Sequence, residues 1–153
     1  MALQSTMYQK QNIDVSAAPW TMHEFFAGSG LVAYGLKGMF APVWANDISE
    51  QKAAVYEANF GCDRFILDDI KNIKGSVLPF AHLSWASFPC QDLSLAGSIG
   101  GIHASRSGLV WEWLRVLDEM ENKPKILLLE NVAGLLSTNG GDNYRVLHLA
   151  LVE

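Results

Sequence analysis

Two side chains have the reactivity and the setting to do chemistry. Cys90 stands in Ser87-Phe88-Pro89-Cys90-Gln91-Asp92-Leu93-Ser94, directly after a short apolar run. Pro89 restricts the backbone in front of the thiol, and a thiolate is a strong, soft nucleophile once its pKa is lowered or an acid-base partner is near. A lone cysteine is more often a small buried hydrophobe, but the polar neighbours Gln91, Asp92 and Ser94 argue against burial here. Glu130 begins the Glu130-Asn131-Val132 stretch, where the uninterrupted apolar run Ile126-Leu127-Leu128-Leu129 stops in a carboxylate and an amide. At a strand end beside the cysteine loop, Glu130 would be rigid and in low dielectric, which raises a carboxyl pKa and suits it to share a proton with a substrate. A hydrogen-bonded polar pair closing the strand explains the isolated motif equally well.

A ligand-binding pattern lies upstream. In Phe25-Phe26-Ala27-Gly28-Ser29-Gly30-Leu31 a strand runs into glycines and then a helix, so Gly28 and Gly30 would let the backbone turn tightly and approach a ligand. Continued through Ala33, this satisfies a dinucleotide fingerprint, which is weak alone. Val43-Trp44-Ala45-Asn46 then ends in Asp47, where an acid could accept both ribose hydroxyls. The plainer role for Asp47 is to cap the next helix, for which Ser49 and Glu50 also qualify. Asp68-Asp69-Ile70 follows a short strand; its acid could hold an exocyclic amine, although adjacent acids commonly just make a turn. Cys62 reads as bland, and the two cysteines form no zinc-type cluster, so no metal is expected.

Holding these groups requires alternating strands and helices. Apolar runs at Thr21–Phe26, Pro42–Ala45, Phe65–Leu67, His82–Ser87 and Lys125–Leu129 alternate with helical patterns at Leu31–Lys37, Glu50–Phe60, Leu109–Glu121 and Asp142–Leu151. That rhythm specifies an α/β fold, a mostly parallel sheet with helices on both faces, and the 126–129 run predicts a strand buried on both sides. Residues 1–18 read as a flexible leader and 19–153 as the domain. The Gly/Ser-rich stretch from Phe88 to Ser107 predicts a long functional loop at a strand's carboxyl end, where open α/β sheets bind ligands. At 153 residues, 50% hydrophobic and 18% charged, the chain can bury a core of its own. No apolar run is long enough to span a bilayer and no hydrophobic signal core opens the chain, which reads as soluble and intracellular. A net charge of −5 has the wrong sign for a free-standing nucleic-acid binder, so other polypeptide would have to supply positive charge if DNA is bound.

Taken in order, Phe-Ala-Gly-Ser-Gly at 26–30, Asn-Asp at 46–47, Asp-Ile at 69–70, Phe-Pro-Cys-Gln at 88–91, Ser-Arg-Ser-Gly-Leu at 105–109 and Glu-Asn-Val at 130–132 resemble the DNA (cytosine-5) methyltransferases over about residues 20–150. The resemblance implies a Rossmann-like methyltransferase fold and methyl transfer from S-adenosylmethionine, leaving S-adenosylhomocysteine, to carbon 5 of cytosine in double-stranded DNA with the target base flipped out. It makes Cys90 the nucleophile at C6 and Glu130 its electrostatic partner at N3. It assigns Phe26 to stacking on the adenine, Asp47 to the ribose, and Asp69 with Ile70 to the adenine edge; Gly28, Gly30 and Leu109 shape the methionine end. Ala27, Ile48 and Pro89 join the cofactor set, and Phe88, Gln91, Ser94, Asn131 and Val132 the substrate set. A role in restriction-modification in a bacterial cytoplasm or at the nucleoid follows from the same likeness.

The sequence departs from the family in three respects. Glu24 and Asp47 each stand where the family commonly has the other acid, and Leu31 replaces a frequent glycine. The chain also stops soon after Glu-Asn-Val, so a C-terminal complementing chain or self-association is expected to cover the last strand's open edge. Two other readings compete: a non-catalytic cofactor-binding subunit or remnant of such an enzyme, and an NAD-dependent oxidoreductase, which leaves Phe-Pro-Cys-Gln and Glu-Asn-Val unexplained.

Overall fold

Strands Trp20–Phe25 (β1), Phe40–Asp47 (β2), Phe65–Leu67 (β3), Leu83–Ala86 (β4) and Ile126–Leu129 (β5) form one sheet in the order β3-β2-β1-β4-β5. Every pairing is parallel. Helices Leu31–Gly35 (α1), Glu50–Phe60 (α2), Leu109–Asp118 (α3) and Asp142–Val152 (α5) lie where the sequence pattern placed helices, and the short helix Gly134–Ser137 (α4) is an addition to it. The computed structural model describes residues 13–14, 17–89 and 108–152. Cys90, Gln91 and Ser94, and most of the expected leader, lie outside the described residues.

Strand alternation builds two cores. Phe25, Trp44 and Ala86 point to one face and pack with Val110, Trp113, Val116 and Leu117 of α3 and Leu147 of α5. Met22, Ala45 and Leu83 point to the other and pack with Ala33 of α1 and Ala53, Tyr56 and Phe60 of α2. Such period-2 segregation is what a sheet covered on both faces requires. Trp113 Nε1 donates to Ser84 Oγ at 2.9 Å, so α3 is tied to β4 by a buried hydrogen bond as well as by packing.

β2 starts earlier than the sequence suggests, because Pro42 sits inside it. Proline gives no N–H to a ladder, yet Pro42 faces β1 alone: pairing with β3 begins only at Ala45. The register also slips between Met22–Pro42 and His23–Trp44, leaving Val43 as an extra residue in a bulge beside the proline.

The double-sided burial predicted for 126–129 is not found. β5 is the outer strand of the sheet among the described residues, and Ile126, Leu127 and Leu128 are 47%, 37% and 43% exposed. Leu129, partly buried, packs against the α3-side core cluster. No helix among the described residues is long and apolar enough to cross a membrane.

Candidate active site

The chain order reverses between β1 and β4, which places a crevice at their carboxyl ends, where open α/β sheets bind ligands. There, a cavity of about 350 Å³ is lined by Phe26, Ala27, Gly28 and Ser29 after β1, Leu31 and Val32 of α1, and Lys52 of α2. Trp85 and Ser87 at the end of β4, and Glu130 after β5, close its other side.

The glycine loop is fixed from beneath by β2. Ala27 N–H donates to Asn46 O at 2.9 Å, and Gly28 N–H to Asp47 Oδ2 at 2.8 Å. Phe26, Gly28 and Gly30 have φ of 56°, 58° and 84°, a left-handed path that glycine takes freely and phenylalanine does not. A Cβ on Gly30 would lie 2.6 Å from Phe60 Cε2, so Gly30 lets α1 close onto α2 behind the loop. Glu24, buried in β1, accepts Ala33 N–H at 3.3 Å; burial pushes its carboxyl up to about 7.

Asp47 is itself buried at the end of β2, and its other oxygen accepts Ser49 N–H at 3.0 Å. The cap of α2 is Ser49, whose Oγ accepts Lys52 N–H at 3.5 Å. Ile48 beside it is exposed. Asp69 caps the following turn through Lys71 N–H at 3.0 Å, and Ile70 is buried in the α3-side core. Leu109, the first residue of α3, is partly buried against that core.

The approach to Cys90 is held from two sides. Phe88 is buried in the α3-side cluster, and its carbonyl accepts Asn131 Nδ2 at 2.9 Å. Pro89 is exposed. Glu130 N–H donates to Ala86 O at 3.0 Å, which extends the β4–β5 ladder and sets the carboxylate at the cavity. The low-dielectric setting expected for Glu130 is not found, since its side chain is exposed. Val132 is exposed as well, its N–H bonded to Asn131 Oδ1 at 2.9 Å.

The described site therefore joins Phe26, Ala27, Gly28 and Glu130 around one cavity, while Gly30 and Asp47 support it from behind. Sequence reasoning did not single out Lys52 or Trp85 as lining it. For Trp85 a signal existed: it lies two residues beyond the core-facing Leu83 and so on the same face of β4.

The sequence profile described as C-5 cytosine-specific DNA methylase matches residues 20–152. The chain belongs to this family. Type II methyltransferase M.Bsp6I of Bacillus sp. (strain RFL6) is 36% identical over 129 residues, which cover 82% of this chain and 40% of that protein. Type II methyltransferase M.BsuFI of Bacillus subtilis is 32% identical over 141 residues, 92% of this chain and 33% of that protein. The chain thus spans well under half the length of these relatives. The structure of S. pombe Dnmt2 methyltransferase superposes with a TM-score of 0.62 at 24% identity, over 84% of this chain and 38% of that one, and shares its Rossmann-like methyltransferase fold.

Proposed function

We propose that the chain carries the cofactor-binding and nucleophilic part of a DNA (cytosine-5) methyltransferase. The observation that supports this best is that one cavity at the β1/β4 reversal has a glycine loop on one side and Glu130 on the other. Its volume is that of a small-molecule site, and the loop offers a left-handed glycine at Gly28 with nothing within 4 Å of where a Cβ would stand, open space for a ligand. These features fit S-adenosylmethionine. Bound there, that cofactor supplies an electrophilic methyl group.

In this reading Phe26 stacks on the adenine, Asp69 and the Ile70 backbone meet its edge, and Asp47, held by Gly28 and Ser49 N–H groups, turns its remaining lone pairs to the ribose. Ala27, Gly28, Gly30, Ile48, Pro89 and Leu109 shape the rest. Cys90 adds as a thiolate to C6 of a flipped-out cytosine, moving the C5=C6 electron pair onto C5 while Glu130 stabilises charge at N3. After C5 is methylated, loss of its proton to a base restores the double bond and expels the thiolate. Phe88, Gln91, Ser94, Asn131 and Val132 frame the base. The exposed apolar edge of β5 is where further polypeptide, of this protein or of a partner, would add a strand and offset the net charge of −5. The setting for this activity is the DNA of a bacterial cytoplasm.

Two measurements test the reading. Calorimetric titration with S-adenosylhomocysteine is expected to give binding that Asp47→Ala weakens, with none for NAD; binding of NAD alone would sink it. With the complementing polypeptide added, DNA containing 5-fluorocytosine is expected to be trapped covalently, and Cys90→Ser to abolish the trap. A trap that survives Cys90→Ser would remove the thiol from the mechanism.

A further inference from the structure

Trp85, near the end of β4, lines the cavity. The sheet runs β1-β4-β5, so a β4 side chain on the cavity face stands between the glycine loop after β1 and Glu130 after β5. Trp85 pairs in register with Glu24 on one side and Leu128 on the other. It shares the face of Leu83 but lies beyond the buried cluster that covers Leu83, and is only half-buried. Its indole N–H donates to Ser87 Oγ at 2.7 Å. That bond uses the only donor of the side chain and holds the ring, so the rest of the indole can offer a ligand only its π system. The charged residues lining the cavity are one cation, Lys52, and one anion, Glu130. Their formal charges cancel.

A tryptophan face attracts a ligand cation electrostatically, and more strongly than the other aromatic rings do. We propose that Trp85 is the residue that recognises the positive charge of the sulfonium donor, so that the cavity prefers S-adenosylmethionine to its neutral product. The preference would help release S-adenosylhomocysteine after transfer. This rests on the methyl-donor reading of the cavity given above.

The test is calorimetric titration of the chain with S-adenosylmethionine, S-adenosylhomocysteine and sinefungin, whose ammonium replaces the methyl sulfonium. Trp85→Leu is expected to weaken the two cationic ligands about 5- to 30-fold and the neutral one about twofold or less, with Trp85→Phe intermediate. Equal weakening of all three ligands would make Trp85 a mere wall and overturn the proposal. So would an unchanged preference in Trp85→Leu, or a preference abolished by Glu130→Gln alone. If Trp85→Leu lacks a cooperative thermal transition, Trp85→Phe and Ser87→Ala carry the test. Ser87→Ala leaves the ring but frees it, and is expected to reduce the preference without removing it. Failure of the unmodified chain to bind any of the three would overturn the methyl-donor reading itself, and this proposal with it.

Discussion

The Asn131 side chain spans from the end of β5 to the end of β4, where its Nδ2 donates to the Phe88 carbonyl at 2.9 Å. Its Oδ1 accepts Val132 N–H at 2.9 Å, so one amide both closes the turn after Glu130 and fixes the backbone two residues before Cys90. Phe88 cannot drift away, because its ring is buried among α3 residues. The separation between Glu130 and the start of the cysteine segment is therefore set by a neutral side chain.

Asn131→Ala is expected to cost about 1–2 kcal/mol, the usual loss when a partly buried carbonyl and an amide lose their partner. Asn131→Asp should cost more, because a carboxylate of the same size faces the Phe88 carbonyl without a proton to give. Urea denaturation followed by circular dichroism measures both. Two variants as stable as the parent chain would show that the bond does not hold the segment.

Gly28 and Gly30 share a left-handed backbone but differ in their surroundings. A Cβ on Gly28 meets nothing within 4 Å, whereas one on Gly30 would press on Phe60 and Tyr56 at 2.6 and 2.9 Å. Gly28→Ala is expected to cost only the strain of the left-handed region, about 1–2 kcal/mol. Gly30→Ala adds overpacking of about 1–3 kcal/mol to the same strain. Denaturant midpoints should rank the parent chain above Gly28→Ala and Gly28→Ala above Gly30→Ala; the reverse order would contradict the packing described here.

Arg115 of α3 clamps the turns that follow β3. Its Nη2 donates to the Ile70 and Ile73 carbonyls at 3.1 and 3.0 Å, Glu112 and Glu119 hold the guanidinium, and Glu119 also accepts Gly75 N–H at 2.9 Å. Lysine cannot make this fork. Arg115→Lys is expected to lower the melting temperature by about 3–8 °C, for a loss of about 1–3 kcal/mol. Gly75→Ala should be worse, since a Cβ there would lie 1.9 Å from the Val116 carbonyl. An Arg115→Lys melt superimposable on the parent chain would sink the clamp.

The structure agrees closely with the sequence reading where local signals were unambiguous. The bounds of α2 and β3 are those expected from Glu50–Phe60 and Phe65–Leu67, because Ser49 caps one and the glycine at 61 ends it. Where the outcome depends on which strand lies beside which, local signals were insufficient. The apolar 126–129 run reads as a strand covered on both faces, yet β5 has a neighbour on one side alone among the described residues. The exposure of Glu130 follows from that edge. Which face of β4 carries Trp85 is legible from the strand's period, but that this face meets the glycine loop depends on β4 adjoining β1, a long-range pairing that no window of the sequence contains. Ile70 and Phe88 stand in motifs read as ligand-binding, yet their side chains are in the core, which leaves their backbone to meet a ligand, because a motif names a position without naming the face it presents.

Glu24 makes stability depend on pH in an unusual direction. Burial pushes its carboxyl from 4.5 up to about 7, although Ala33 N–H favours the charged form. Between those values the folded chain holds a proton that the unfolded chain has released, so stability falls as pH rises from about 4.5 to about 7 and is level above. The full effect is about 3 kcal/mol at the usual conversion. His23 acts in the opposite sense: burial lowers its pKa despite the hydrogen bond to Pro79 O, so its contribution is present above the unfolded value of 6.5 and is lost as pH falls from there towards the lowered folded value. The two slopes overlap in the parent chain, but subtracting the Glu24→Gln variant isolates the carboxyl. Relative to the parent, Glu24→Gln is expected to gain stability steadily from pH 5 to pH 7 and to hold that gain at pH 8, in denaturation series run at each pH. A difference that stays flat across this range would mean that Glu24 does not carry its proton into the fold.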